Sequence, residues 1–199
     1  MYFLFLEILE NDIVFILNSL RSIFSQKEKK ASIHITIRGP EKEPIINEKK
    51  FNDFLSPPPQ IGIRTPGIFS FKNQYYLYLT VYCPEMKGSP IWKKPDFQGT
   101  FNPHITIMET DDKVLINKVY KFMKTENISL LSSNYRYTLY KQKQNELFDF
   151  TNLNKKNTDL GELLSRRRIR PGLLERAVSL MSNYHKETEE FLHANNSVK

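Results

Sequence analysis

The tetrapeptide His-Ile-Thr-Ile occurs twice in this chain, as His34-Ile35-Thr36-Ile37 and as His104-Ile105-Thr106-Ile107. Each copy lies in an apolar run that predicts a β-strand. Because side chains on a strand alternate between its two faces, the His and the Thr of each copy should project from one face and the isoleucines from the other. Each copy therefore predicts an imidazole and a hydroxyl side by side on a polar face, backed by a buried apolar face.

A single His-x-Thr on a strand has an ordinary explanation, since polar side chains on the solvent face of a sheet are common. Two copies in a chain with four histidines are harder to explain in this way. Two such pairs facing one cleft would form an acid–base site, because imidazole titrates near neutral pH and can act as base or as acid. We therefore predict His34, Thr36, His104 and Thr106 as catalytic residues.

The composition predicts a folded protein with an anionic partner. The 199 residues are 40% hydrophobic and 13% aromatic, enough for one domain with an appendage. The net charge of +7 favours a nucleotide or nucleic acid, although many basic proteins bind neither. A single cysteine, Cys83, excludes an intrachain disulfide and a Cys-based zinc site. The lone cysteine fits a reducing cytoplasm, where we expect the protein to lie. Because Glu7, Glu10 and Asp12 interrupt the apolar start, we expect neither a signal sequence nor a membrane segment.

The first third of the chain predicts a strand, a helix and a second strand. Tyr2 to Ile8 is a continuous apolar run suited to a strand buried on both faces. Asn11 or Asp12 should cap a helix that ends near Phe24, because apolar residues then recur at helical spacing. A strand over residues 32–38 carries the first His-x-Thr, and residues 41–60 predict a loop with at most one short helix.

The middle of the chain predicts strands and one further helix. A long loop, residues 84–101, leads to the second His-x-Thr. Two β-α-β-like halves, each with one motif, imply an internal pseudo-repeat around a cleft. The predicted strands are 61–63, 67–71, 75–82, 128–131 and 135–141, with a hairpin turn around residues 72–74 and a helix over 111–124.

The end of the chain changes to a helical pattern from about Asp159, with a break at Pro171-Gly172. We divide the chain into a domain at 1–150 and a helical extension at 151–199. The apolar stripe of the extension could pack on the domain, dimerise or bind a partner, and packing on the same chain is favoured. Arg166 to Arg168 and Arg170 form a dense basic run, for which a solvated helix end is more ordinary than a phosphate contact.

The two motifs together resemble the two-histidine (2H) phosphoesterases, which include 2′-5′ RNA ligase-like proteins and cyclic-nucleotide phosphodiesterases. The first motif follows a β–α opening, and the second is preceded by proline in Asn102-Pro103-His104. The stretch from His34 to Pro40 is most similar to the RNA ligase-like branch. The resemblance covers residues 1–150 and implies an α+β fold, with two pseudo-symmetric β-α-β lobes of mainly antiparallel sheet around a central cleft. The C-terminal helical extension has no counterpart in it.

The resemblance also implies a metal-independent phosphodiesterase that needs no cofactor. One imidazole would act as base and the other as acid, and the two threonines would donate hydrogen bonds to the non-bridging oxygens of the phosphate. Which histidine is the base stays open. The expected substrates are 2′,3′-cyclic or 2′-5′-linked RNA ends, or a cyclic or oligonucleotide messenger. Viral and phage members of the superfamily degrade such messengers to evade immunity.

Other residues are candidates for substrate binding. Arg38 shares the face of His34 by period two and could contact a phosphate. Aromatic side chains could stack on a base, although core packing is the more ordinary role for each of them. Two alternatives to an enzyme stay open: a module that binds RNA or a nucleotide without cutting it, and a partner-binding protein that uses its C-terminal helices. The aromatic candidates are Tyr76, Tyr78, Trp92 and Phe101, and we expect His185 and His193 to face solvent.

Overall fold

The computed structural model describes residues 1–25, 32–43, 60–84, 102–141, 146–149 and 168–196. Among these residues the chain forms antiparallel sheets and helices, so the predicted α+β class is confirmed. The elements in chain order are β1 (Tyr2–Ile8), α1 (Asn11–Phe24), β2 (His34–Glu41), β3 (Ile61–Phe71), β4 (Gln74–Tyr82), β5 (His104–Thr110), α2 (Lys113–Glu126), β6 (Leu130–Ser132), β7 (Tyr135–Lys141), β8 (Glu146–Asp149) and α3 (Leu173–Asn196).

The strands form two four-stranded sheets. The first sheet has the order β2-β1-β7-β8, and the second has the order β5-β4-β3-β6. The first His-x-Thr therefore lies on an edge strand of one sheet, and the second lies on an edge strand of the other. These two edge strands, β2 and β5, contact each other. The fold thus brings together two segments that are 70 residues apart in sequence.

One hydrophobic core lies under both sheets. The isoleucines of the two motifs, at 35, 37, 105 and 107, are at most 2% exposed and belong to the same cluster of buried residues. α1 and α2 contribute further members to this cluster and contact the strands of the second sheet. The predicted alternation of a buried apolar face with a polar face is confirmed for both motifs.

The start of α1 differs from the prediction. Neither Asn11 nor Asp12 caps this helix, because the N-cap residue is Glu10, which makes no side-chain cap. The Glu10 carboxylate instead accepts hydrogen bonds from the Ser132 hydroxyl and from the main-chain N–H groups of Ser133 and Asn134, at 2.6 to 2.8 Å. Glu10 therefore binds the turn between β6 and β7 rather than its own helix.

The largest departures from the predicted strands are at β3 and β8. Residues 61–63 and 67–71 belong to one strand, β3, with a register shift between Arg64 and Pro66 rather than a break. β8 was not predicted. The hairpin between β3 and β4 is confirmed, and it turns at Lys72 and Asn73, which both have positive φ, 47° and 61°.

α3 begins directly after the predicted break at Pro171-Gly172 and packs on α1 and α2. Its buried residues are Leu173, Ala177 and Met181. The Arg176 guanidinium donates two hydrogen bonds to the buried Glu126 carboxylate of α2, at 2.8 and 2.6 Å. The Tyr184 hydroxyl donates to Asp112, whose other carboxylate oxygen caps α2 by accepting from the Val114 and Leu115 N–H groups.

None of the helices described here has the length and apolar character needed to cross a lipid bilayer. Residues 160–164 and Arg166–Arg167 lie outside the described residues. The division at residue 150 stays a prediction.

Candidate active site

The first motif lies on β2, which pairs with β1. In this pairing His34 lies opposite Glu7 and Thr36 lies opposite Phe5. His34 is half-buried and Thr36 is exposed. The polar face of β2 therefore continues onto β1 through Glu7 and Phe5, since directly opposed residues share a face.

The second motif lies on β5, which pairs with β4. His104 lies opposite Thr80 and Thr106 lies opposite Tyr78, and both motif residues are half-buried. The register of this pair shifts directly after Thr106, so Glu109 lies opposite Tyr76, on the same face as His104 and Thr106. Because directly opposed residues share a face, Tyr78 is an aromatic neighbour of Thr106 on the face of the motif.

The two imidazoles make the same hydrogen bond. His34 Nδ1 lies 2.8 Å from the main-chain oxygen of Ser32, and His104 Nδ1 lies 2.8 Å from that of Asn102. Because a carbonyl oxygen can only accept, Nδ1 must carry the proton in both rings. In neutral imidazole the other nitrogen, Nε2, then holds the lone pair. Both rings are thus fixed in the tautomer that uses Nε2 as base, or Nε2–H as acid once protonated.

Arg21 of α1 links the two motifs. Its Nε donates to the main-chain oxygen of Thr106 at 2.8 Å, and its Nη1 donates to that of Ser32 at 3.0 Å. The residue is 6% exposed. Burial lowers the pKa of Arg21 to about 10, so the guanidinium is charged at neutral pH. A single cation therefore joins the main chain just before His34 to the main chain of the second motif.

Aromatic rings lie against the first imidazole. The Phe5 ring stacks on His34 with a centroid distance of 3.9 Å and an interplanar angle of 25°. Tyr140 of β7 in turn stacks on Phe5, with a centroid distance of 5.6 Å. These contacts fix the plane of the His34 ring and give this side of the site an apolar wall.

A second aromatic group lies against the other imidazole. The rings of Tyr78 and Phe69 lie 4.9 and 5.7 Å from His104. Tyr76 stacks on Phe69 at 4.8 Å and 11°. Burial, together with the charge of Glu109, raises the pKa of Tyr76, so its hydroxyl stays protonated at neutral pH. Tyr78 thus lies beside the predicted catalytic histidine, and Tyr76 lies one ring further away.

The position of Tyr78 depends on a glycine. Gly67 of β3 lies opposite Tyr78, and a Cβ atom at this position would overlap the phenol ring. Only glycine therefore lets the ring lie flat across β3 and reach His104. No sequence pattern pointed to this residue.

Glu7 is a buried acid beside the first motif. Its side chain is 2% exposed and accepts hydrogen bonds from the Ser32 hydroxyl and from Arg136 Nε, the latter at 2.8 Å. Burial alone would raise the pKa of Glu7, but the hydrogen bonds from Ser32 and Arg136 outweigh it and hold the pKa below its usual value. Glu7 is therefore ionised at neutral pH and ties β1 to β7 and to Ser32, two residues before β2.

The other candidate residues have different surroundings. Arg38 follows a register shift in β2, lies opposite Leu4 and forms an ion pair with Glu41 at 2.9 Å. Trp92 and Phe101 lie outside the described residues, as does the side chain of His193. His185 is exposed on α3, as expected. Within the described part of the chain, no three His, Cys, Asp or Glu side chains are grouped so that they could hold a metal ion.

Sequence reasoning missed Arg21 and Glu7. A signal for Arg21 was present, because it lies one turn after Leu17 and three residues before Phe24, on the buried stripe of α1. A charged residue in such a stripe has to bind buried polar groups. Glu7 similarly interrupts an apolar strand buried on both faces. The partners of both residues are distant in sequence, so the pattern alone could not identify them.

No family profile matches this chain, and no curated protein matches it. Two solved structures of Usb1 from Kluyveromyces marxianus are similar to it. One, a structure with uridine monophosphate, has 10% sequence identity and a TM-score of 0.36. The other has 11% identity and a TM-score of 0.35, and each alignment covers 75% of this chain and 97% of the Usb1 chain.

Proposed function

We propose that this protein is a 2H-type phosphodiesterase that cleaves a phosphodiester bond in a nucleotide or short oligonucleotide without a metal ion. The observation that carries the proposal is the matched pair of motifs on two contacting edge strands. Each imidazole has Nδ1 bound to a main-chain oxygen two residues earlier, which leaves proton transfer to Nε2 in both rings. A site with two equivalent proton carriers suits a reaction that needs a base and an acid at once.

Hydrolysis of a 2′,3′-cyclic phosphate illustrates the chemistry. One neutral imidazole accepts a proton at Nε2 from the attacking water, whose oxygen forms a bond to phosphorus. The other imidazole, protonated, donates its Nε2 proton to the leaving ribose oxygen as the P–O bond breaks. The ring opens to a phosphomonoester, and one water is consumed. Thr36 and Thr106 donate hydrogen bonds to the non-bridging oxygens, where negative charge lies throughout the reaction.

The aromatic groups favour a substrate with a base next to the scissile phosphate. Among the rings that are partly exposed, Tyr140 lies on the side of His34, and Phe69, Tyr76 and Tyr78 lie on the side of His104. Stacking of a base on such a ring contributes about 1–3 kcal/mol. The net charge of +7 also favours an anionic substrate. We therefore propose RNA ends with a 2′,3′-cyclic or 2′-5′ linkage, or a cyclic or oligonucleotide messenger, as substrate.

The test is turnover of a defined panel in the presence of EDTA. The panel contains 2′,3′-cyclic nucleotides with each base, 2′-5′ oligoadenylate and cyclic dinucleotides. We expect at least one of these to be hydrolysed, with EDTA having no effect. Loss of activity in EDTA would contradict the metal-independent mechanism, and an inert protein would contradict the enzyme. Tight binding with the ligand recovered unchanged would instead support the non-catalytic binding module.

Histidine variants identify the catalytic groups. His34→Ala and His104→Ala should each lower kcat by about 10²- to 10⁴-fold, because each removes one proton-transfer step. The double variant should fall little further, since residues that act as a unit are not additive. His185→Ala is the matched control, because this histidine is exposed on α3. Equal losses in all three single variants would contradict the assignment.

A further inference from the structure

The two motif strands need a connection other than the sheets themselves. β2 and β5 are edge strands of separate sheets, so no ladder of main-chain hydrogen bonds joins them in the described part of the chain. Acid–base catalysis across one phosphate nevertheless requires both imidazoles to hold a fixed separation. A side chain that binds main-chain oxygens of both motif segments could hold this separation.

The geometry points to Arg21 as a positioning residue that fixes the separation of the two His-x-Thr motifs. Its guanidinium donates to one main-chain oxygen on each side, those of Ser32 and Thr106, at 3.0 and 2.8 Å. This inference rests on the proposed function, because positioning has a meaning only for groups that act together on one substrate.

The contacts reach the main-chain groups that support the proposed catalytic side chains. The Ser32 oxygen that accepts from Arg21 also accepts from His34 Nδ1, at 2.8 Å. On the other side, the oxygen belongs to Thr106, a member of the second motif. A displacement of the guanidinium would therefore move the support of the first imidazole and the strand of the second motif together.

The choice of residue also fits this role. Arg21 lies among Leu17, Leu20 and Phe24 on the buried stripe of α1, where an apolar residue would avoid the cost of burying a charge. A guanidinium presents several N–H donors in a rigid plane, so it can bind two separate oxygens at once. A lysine ammonium is a single point on a flexible stem and lacks this rigid fork.

The experiment compares Arg21→Met and Arg21→Lys with wild type on the substrate that the panel identifies. We expect Arg21→Met to lower kcat by about 100-fold with KM changed less than about threefold, because misplacement of reacting groups affects the chemical step. Arg21→Lys should retain part of the activity. Arg176→Met is the matched control: it also removes an arginine that makes two hydrogen bonds to a buried partner, but on α3, and its kcat should equal that of wild type.

A second measurement needs no substrate. In NMR spectra of the free protein, Arg21→Met should weaken the nuclear Overhauser effects between β2 and β5, while those within each sheet stay as in wild type. If Arg21→Met does not fold, Arg21→Lys provides the same comparison. Wild-type kcat in a folded Arg21 variant, equal kcat loss in Arg176→Met, or unchanged effects between β2 and β5 would each overturn the inference. An inert wild type would contradict the proposed function alone, because the NMR comparison would still test whether Arg21 holds β2 and β5 together.

Discussion

The two histidines are supported in the same way although they lie in different sheets. Each Nδ1 donates to the main-chain oxygen two residues earlier, and each ring lies against aromatic neighbours. The repeated tetrapeptide His-Ile-Thr-Ile predicted that the two imidazoles form a pair and from which strand faces they project. It could not predict the bonds to Ser32 and Asn102, because a bond from a ring to its own strand depends on the side-chain torsions.

The aromatic wall beside His104 can be tested at Gly67. We predict that Gly67→Ala raises KM several-fold and lowers the free energy of unfolding by about 1–3 kcal/mol, because the added methyl group overlaps the Tyr78 ring and must displace it. Steady-state kinetics and urea denaturation measure the two effects. Gly62→Ala is the control on the same strand, where the nearest atom, 3.2 Å away, belongs to the flexible side chain of Arg64. Equal effects of the two substitutions would mean that the position of Tyr78 is unimportant.

At the scale of elements, two strands were predicted most accurately. The bounds of β1 and β7 agree with the prediction to the residue, because apolar and aromatic side chains predominate in both strands although each contains charged residues. β3 was predicted as two strands, 61–63 and 67–71, which left out the segment that contains Pro66. The structure accommodates Pro66 at a register shift, where a missing N–H costs little.

The N-cap of α1 is another difference between prediction and structure at this scale. Asn11 or Asp12 was predicted to cap α1, but the N-cap residue is Glu10, and its carboxylate binds the turn between β6 and β7, more than 120 residues away in sequence. Such a partner is fixed by the way the strands assemble, so local cap preferences cannot reveal it. The predicted end of α1 is therefore correct, whereas its predicted cap is wrong.

The junction of β1, β2 and β7 should be sensitive to pH through Glu7. We predict that Glu7→Gln lowers the free energy of unfolding at pH 7 by about 1–3 kcal/mol, since it removes charge-assisted hydrogen bonds from a buried acid. Because the pKa of Glu7 is lower in the folded protein than its usual 4.5, this stabilisation is complete above that value and is lost as the pH falls through the folded pKa. The difference between wild type and variant should therefore shrink as the pH falls below 4.5.

Urea denaturation at several pH values measures this dependence. Glu190→Gln is the control, because Glu190 pairs with Lys186 at 3.9 Å on an exposed face, where such a pair contributes about 0–1 kcal/mol. A difference between wild type and Glu7→Gln that stayed constant down to acid pH would contradict the role given to the Glu7 charge.

On the scale of the whole molecule, the helices and the candidate site have separate places. α1, α2 and α3 share one core with the apolar faces of both sheets, and α3 packs on the other two helices. The polar faces of β2 and β5 carry the histidines. Arg21 is the exception, since it reaches from α1 to the main chain of both motifs. Stability and catalysis should therefore respond to different substitutions, apart from those at residues that affect both, such as Arg21 and Gly67.

The packing of α3 on its own chain provides the clearest test of this separation. We predict that Met181→Ala lowers the free energy of unfolding by about 2–4 kcal/mol, because Met181 is 7% exposed and its removal leaves a cavity in the core. Val178→Ala, on the same helix but 50% exposed, should change it by less than about 0.5 kcal/mol. Both variants should keep the kcat of wild type, since α3 packs on α1 and α2 rather than beside the two histidines. Unchanged stability of Met181→Ala together with an altered oligomeric state in analytical ultracentrifugation would instead show that this helix face serves a partner in solution.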